Sequence, residues 1–573
     1  MTQPNFSPLS RRSFLGYVGA TAAAGSMFGL TEPVRAMKRD GRAKGVVYAT
    51  DGSGRRAGLA GVKVSNGLTF STTDHAGRYS IDVTDDTTLW VVKPRGYRPP
   101  VNAKNLPQFF RHHVPAGTPD DDFIFPGIAP TGDLPASIDF ELEAVHEPDQ
   151  FKCVLFGDPQ PYTVEEVFFY SRDATEAFAD LAGVAFGVGM GDLVGDNLDL
   201  HALYNDANAA SGFRWYNIVG NHDIEFMSPT DVHADAAFRR TFGPSTYIFQ
   251  HARAHFIVLN NVYWKGFAGL RRDGWPQRGN YEGRIRPEQL ELIRQYVKDV
   301  PTNEAIVVLM HIPLFAFQGE DAVHSTPQAK ELLEILSNHP HTFSASGHTH
   351  INHHHVAGLD HGYNNAQGRH HLHHNVGAIC GSWYTGKPDQ RGIPYSTQRD
   401  GVPRGYTLVE FDGPRFTVGY RKLGGRADEQ MHIDVSEVAR RGEPLPISVN
   451  VFDGGPLSTT RLRLGPNDPW RTMIQTSKID STYARHRAES LDWANAAPGR
   501  RALSQPVVTD HHWTLEVETS GLTEGLHLIE VETTDAYGKI HTGRRMVRLQ
   551  DDPEIFAALD TNSIRNPRTQ STP

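Results

Sequence analysis

The sequence predicts an α/β core, a β-sheet with helices outside, between an N-terminal β-sandwich and a C-terminal β-rich domain. Three observations point there. Residues 44–143 break into short β-prone runs separated by Gly, Asp and Asn. From about residue 150 apolar runs alternate with helix-like stretches, the pattern of an α/β domain. After about residue 376 the chain returns to short β-prone pieces.

The elements follow in order. Residues 10–15 read Ser-Arg-Arg-Ser-Phe-Leu, a weakly apolar run extends from Gly16 to Leu30, and Val34-Arg35-Ala36 places small residues where a signal peptidase reads. This order resembles a twin-arginine export signal, so residues 1–36 are set aside as an address. The resemblance implies handling by the twin-arginine machinery and a periplasmic or secreted protein. An N-terminal anchor or a chance arginine pair is the plainer alternative.

The N-terminal β-sandwich is expected over residues 37–147, with strands near Gly45–Tyr48, Val62–Ser65, Thr69–Thr72, Tyr79–Val83 and Leu89–Val92. It resembles the carboxypeptidase-regulatory-like modules of secreted enzymes and holds no catalytic constellation. The central domain is expected over 148–375. Its strands are Cys153–Phe156, Val184–Met190, Trp215–Val219, Phe256–Leu259, Ala305–Met310 and Thr342–Ala345. Its helices are Val164–Leu181, Pro287–Val300 and Pro327–Asn338. A C-terminal β-rich domain spans 376–553, and residues 554–573 form a polar tail.

Bulk properties narrow the function. The 573 residues exceed one core, and 39% hydrophobic content suits ordinary globular packing. Beyond the N-terminus no window approaches twenty uninterrupted apolar residues, which excludes a polytopic membrane protein and predicts no transmembrane domain. A net charge of −10 argues against nucleic acid as the main partner. Cys153 and Cys380 cannot make a disulfide scaffold, and they read as two buried thiols, with a single bridge as the alternative.

Five motifs carry the chemistry, each directly after an apolar run. They are Gly157-Asp158-Pro159-Gln160, Gly191-Asp192-Leu193-Val194-Gly195-Asp196, Gly220-Asn221-His222-Asp223, Met310-His311-Ile312-Pro313 and Gly347-His348-Thr349-His350. Polar residues at the carboxyl ends of strands converge on one crevice in α/β sheets. The glycines before Asp158, Asp192, Asn221 and His348 let the backbone turn sharply. Carboxylates, an amide oxygen and imidazoles together suit divalent first-row metals, and a carboxylate can bridge two of them. Singly, each motif reads more readily as a turn or a surface segment.

This series resembles the calcineurin-like metallophosphoesterases over about residues 150–352, and the flanking domains resemble the exported bacterial branch of that superfamily. The resemblance implies a metallophosphoesterase-type sheet core and two divalent or trivalent ions, Mn, Fe or Zn. Asp158 and His350 would bind the first ion with Gln160 beside them. Asp192 would bridge, and Asn221, His311 and His348 would complete the second site. His222 would be catalytic without binding metal. Gln160 stands where many members have histidine, which implies a looser first site leaning toward manganese or iron. Asp196 and Asp223 read as orienting groups.

The implied activity is hydrolysis of a phosphate mono- or diester, on a small molecule or a protein, by a metal-bridging hydroxide. A non-catalytic envelope binding protein and a nuclease are the alternatives. His353, His354, His355, His370, His371, His373 and His374 flank the last motif without an assigned role. Lys387, Arg391, Arg399 and Arg404, interleaved with Trp383, Tyr384 and Tyr395, read as either an irregular linker or a substrate wall.

Overall fold

The computed structural model describes residues 41–50, 54–119, 122–179, 181–316 and 323–552. The twin-arginine segment and the polar tail lie outside the described residues.

Two sheets make the N-terminal domain. Gly41–Thr50 sits at the centre of one, paired with Arg56–Gly58, Arg78–Val83 and Phe140–Ala144, and Tyr97–Arg98 joins the last of these. The other runs Phe70–Thr72, Lys63–Ser65, Thr87–Val91, Phe110–His113. Alternate residues face inward: Tyr79, Ile81 and Val83 are buried while Arg78 and Asp82 are exposed. Val47, Val64, Ile81, Leu89 and Phe140 belong to the same continuous core as the central domain.

The central domain is built on two mixed sheets. In the first, Arg214–Asn217, Val184–Gly189 and Gln150–Phe156 run parallel. In the second, Ala254–Val258, Ala305–Leu309, Thr342–Ser346 and His371–Asn375 run parallel, with antiparallel Tyr247–His251 and His353–Ala357 at the two edges. Pleating divides the central strand between two cores. Cys153 and Leu155 pack with Phe256 and Val308 of the second sheet, while Val154 and Phe156 pack with Val167, Tyr170 and Phe178 of the helix Val164–Ala179. Ala305–Leu309 is buried at every position, which explains its unbroken apolar run.

The first sheet holds two strands that the sequence assigned beyond residue 376 to the C-terminal domain. Gly405–Asp412 pairs antiparallel with Gln150–Phe156, and Arg415–Lys422 pairs with Gly405–Asp412. A short β-prone run reads the same whichever sheet receives it, so composition could not assign these strands. The separate C-terminal sandwich begins at Met431 and contains a four-stranded and a five-stranded sheet. It also carries the helix Ser481–Asn495, which sequence periodicity missed; only Tyr483 and Ser490 of it are buried, so it has no apolar stripe to read.

Cys153 and Cys380 are free and buried. No helix among the described residues is long and apolar enough to cross a membrane.

Candidate metal centre

All five motifs leave parallel strands at their carboxyl ends and meet where the two sheets adjoin. Asp158 follows Gln150–Phe156, Asp192 follows Val184–Gly189 and Asn221 follows Arg214–Asn217. His311 follows Ala305–Leu309, and His348 with His350 follows Thr342–Ser346. The loops are bonded to one another. The Gln160 amide donates to the Asp192 carbonyl at 2.9 Å, the Gly347 amide to the His311 carbonyl at 3.0 Å, and the His348 amide to Asp158 Oδ2 at 2.9 Å.

Backbone strain is concentrated here. Asp158, Gln160, Asp192, Asp196, His348 and His350 all hold positive φ, between 40° and 77°. Such angles are uncommon outside glycine and collect at functional sites. Two glycines are required by close approach. A Cβ on Gly220 would lie 2.0 Å from the Asp192 amide nitrogen, and one on Gly347 would lie 2.7 Å from Asp158 Oδ2.

The three expected histidine ligands share one arrangement. His311 Nδ1 lies 2.9 Å from the Met190 carbonyl, His348 Nε2 lies 2.9 Å from the Val323 carbonyl, and His350 Nδ1 lies 2.6 Å from the Gly381 carbonyl. A carbonyl only accepts, so each ring donates there, which leaves its other nitrogen as the one that can face a cation. That is how protein structure prepares imidazole for a cation. His311 Nε2 faces Asn221 Oδ1 at 3.0 Å and Asp192 Oδ1 at 3.3 Å. His350 Nε2 faces Asp158 Oδ1 at 3.8 Å. Asp192, His311 and His348 each bring a ligand atom within 4.8 Å of the other two.

The residues present fit metal ions on a further observation. Gln160 Oε1 and His348 Nδ1 are buried without a hydrogen-bond partner. Such atoms are costly unless something satisfies them. The electrostatics agree. Burial, with the Asp192 charge adding to it, pushes the Asp158 carboxyl up. Burial also opposes ionisation of Asp192, but His311 and His222 outweigh it and hold that carboxyl down. His311 is raised to about 9 because Asp192 overcomes the effect of burial. Burial lowers His348 and takes His350 to about 4, leaving both as neutral ligands. Two buried carboxylates beside neutral imidazoles make a site for positive charge, and a cation would replace the proton on His311.

His222 is oriented differently. Its Nδ1 lies 2.5 Å from Asp196 Oδ1, and its Nε2 lies 4.0 Å from Asp192 Oδ2. Asp223 does not touch that ring. Its carboxylate accepts from the amides of Gly220, Leu193 and Val194 at 2.9, 3.0 and 3.2 Å, tying the Asp192 and Asn221 loops together.

Neighbours of the centre that the motifs did not reveal are Tyr162 and Arg278. Arg278 pairs with Asp196 and lies over the Tyr162 ring, which is edge-on to His222. Arg278 lies in a segment without periodicity, and no local signal announced it. The candidate substrate wall resolves unevenly. Trp383 packs against His350 with ring centroids 4.2 Å apart. Arg404 and Arg391 instead pair with the buried Asp173 and serve packing. Lys387 and Tyr395 are exposed.

Residues 145–352 match the calcineurin-like phosphoesterase family, residues 45–126 the N-terminal domain of calcineurin-like phosphoesterases, and residues 373–541 their C-terminal domain. Comparison with curated proteins gives no match. Among solved structures, a superoxide reductase (neelaredoxin) from Ignicoccus hospitalis aligns at 8% identity over 21% of this chain and 81% of its own, TM-score 0.13. An endo-beta-1,4-mannanase from Thermotoga petrophila aligns at 9% identity over 69% of this chain and 98% of its own, TM-score 0.22. Likeness that slight carries no argument. The three family matches follow one another along most of the chain, and the protein belongs to the calcineurin-like phosphoesterases, a metal-dependent hydrolase family, in the form that carries dedicated N- and C-terminal domains.

Proposed function

We propose that the chain hydrolyses phosphate mono- or diesters at a two-metal centre, and that it does so in the periplasm or outside the cell after twin-arginine export. The observation that carries this reading is the shared arrangement of His311, His348 and His350, each donating to a carbonyl, with the other nitrogen of His311 facing Asp192, that of His350 facing Asp158, and His348 grouped with Asp192 and His311. Asp158, Gln160 and His350 would hold one ion, Asn221, His311 and His348 the other, and Asp192 both. Bound there, the ions supply positive charge for phosphoryl oxygens and a water of lowered pKa.

The chain's own groups do the rest. Asp196 accepts from His222 Nδ1, so Nε2 is the atom available to the substrate. Burial works against the protonated ring, but Asp192 and then Asp196 raise its pKa. A protonated His222 would carry at Nε2 the proton that it passes to the departing ester oxygen. Asp223 keeps the Asp192 and Asn221 loops in register throughout.

The test is an assay of the metal-loaded mature chain against a panel of mono- and diesters, including nucleotides, phospholipid head groups, sugar phosphates and phosphopeptides. Metal-dependent turnover of at least one class is expected. Protein that binds two ions and hydrolyses none would favour the binding-protein reading.

A further inference from the structure

The histidine-rich segment, which the catalytic centre leaves unused, brings two imidazoles and a carboxylate together elsewhere. His354 on His353–Ala357 stands directly opposite His374 on His371–Asn375 in the antiparallel register, with ring centroids 4.3 Å apart. Asp453, in the turn after the strand Leu445–Val451, reaches in from the C-terminal domain and places Oδ1 2.7 Å from His354 Nε2. One ligand atom from each of the three lies within 4.8 Å of the other two.

Two deeply buried neighbours have an atom left without a partner. His374 is fully buried, its Nε2 lies 2.9 Å from the Thr407 hydroxyl, and its Nδ1 has no hydrogen-bond partner. Asn352 is 1% exposed and donates Nδ2 to the Phe452 carbonyl and to Asp453 Oδ1, while its own Oδ1 accepts from nothing. The Thr407 hydroxyl can donate to or accept from Nε2; in the tautomer whose Nε2–H donates, His374 carries its lone pair on Nδ1, the state of a ligating imidazole. The second oxygen of Asp453 accepts from the Tyr420 amide at 3.0 Å, which fixes the carboxylate. His354 also lines a cavity of about 430 Å³ shared with His353, His355 and Asp510, a route of entry.

We propose that His354, His374 and Asp453 form a separate structural site for a divalent transition metal. Two imidazoles and a carboxylate favour zinc or cobalt over magnesium or calcium. Bonds of about 2.0–2.1 Å in a tetrahedral site put ligand atoms about 3.4 Å apart, so binding draws the three together. His354 and Asp453 then exchange their direct hydrogen bond for a shared ion. The ion would staple the edge of the second central sheet to the C-terminal domain. This site does not rest on the phosphoesterase reading.

The experiment uses the full mature chain carrying Asp192→Asn and His311→Ala, which removes the bridging and second-site ligands of the catalytic centre. The protein is loaded with Co²⁺ or Zn²⁺, desalted and analysed for metal, and its thermal midpoint is measured with and without the ion. His354→Gln or His374→Ala, added to that background, should lower the metal content by about one ion per chain and remove the metal-dependent rise in midpoint. His354→Gln keeps a group able to donate to Asp453, so its metal-free midpoint should match the background and show that the fold is intact. Metal content unchanged by His354→Gln, or an equal metal-dependent rise in both proteins, overturns the proposal.

Discussion

His222 and Asp196 are joined by a 2.5 Å contact between Nδ1 and Oδ1, and Arg278 occupies the other oxygen of the same carboxylate. The ring is thus held from behind while its Nε2 lies 4.0 Å from Asp192 Oδ2. His222→Ala should leave the metal content unchanged and lower turnover by roughly 10²–10⁴, the range for a lost general acid. The loss should shrink for nitrophenyl esters, whose leaving group needs no proton. A mutant that loses an ion would make His222 a ligand instead.

Asp196→Asn tests the same relationship by pH. A proton donor works only while protonated, so activity falls as pH rises through its pKa. Asp196 raises that pKa, after the larger effect of Asp192. Removing its charge should move the alkaline fall in kcat to lower pH. An unmoved limb would show that Asp196 only packs against the ring.

Asp192→Asn and His311→Ala should differ in metal content. Asp192 lies 3.3 Å from His311 Nε2 and 4.0 Å from His222 Nε2, at the middle of the motif set. If its carboxylate bridges, the asparagine variant loses both catalytic ions, whereas His311→Ala keeps about one of them. Equal losses by elemental analysis would point to a single ion there.

The paired arginines predict that Arg11→Lys with Arg12→Lys retains the precursor in the cytoplasm. Fractionation that recovers the double variant in the envelope as efficiently as the parent would remove the twin-arginine reading.

Acid stability should depend on Lys93 and Glu147, which are almost fully buried with Nζ 2.5 Å from Oε1. Burial disfavours the Glu147 charge, but His251 and Lys93 more than offset this and bring its pKa to about 2 from 4.5. A depressed carboxylate pKa adds stability that is fully present above 4.5 and is lost as pH falls toward 2. Lys93→Met leaves a buried carboxylate with one partner fewer and should cost about 3–5 kcal/mol at neutral pH. Denaturant midpoints across pH 2–7 would check both; a parent whose midpoint is flat below 4.5 would contradict the linkage.

The motifs were legible because each chemical residue directly follows a buried strand, so the apolar run and the polar tip occur together, as in Ala305–Leu309 before His311. Their mutual distances were not legible, since these depend on how two sheets abut. Arg278 was invisible because it comes from an aperiodic segment, and Asp453 because its partner His354 is far away in sequence. The role of the glycines was half readable. Gly191 holds φ of 94°, as a turn requires, but Gly220 is there to admit the Asp192 backbone.

The strand Gln150–Phe156 has one neighbour close by in sequence and the other in Gly405–Asp412. During synthesis, the five motifs up to His350 therefore leave the ribosome well before the strand that seals the first sheet. Until then Gln150–Phe156 is an open edge, the kind of surface that invites mispairing. Closing so long a loop is slow, and it places completion of the centre late in the life of the nascent chain. A truncated product ending near 352 would carry every candidate catalytic ligand and still be a substrate for chaperones and proteases.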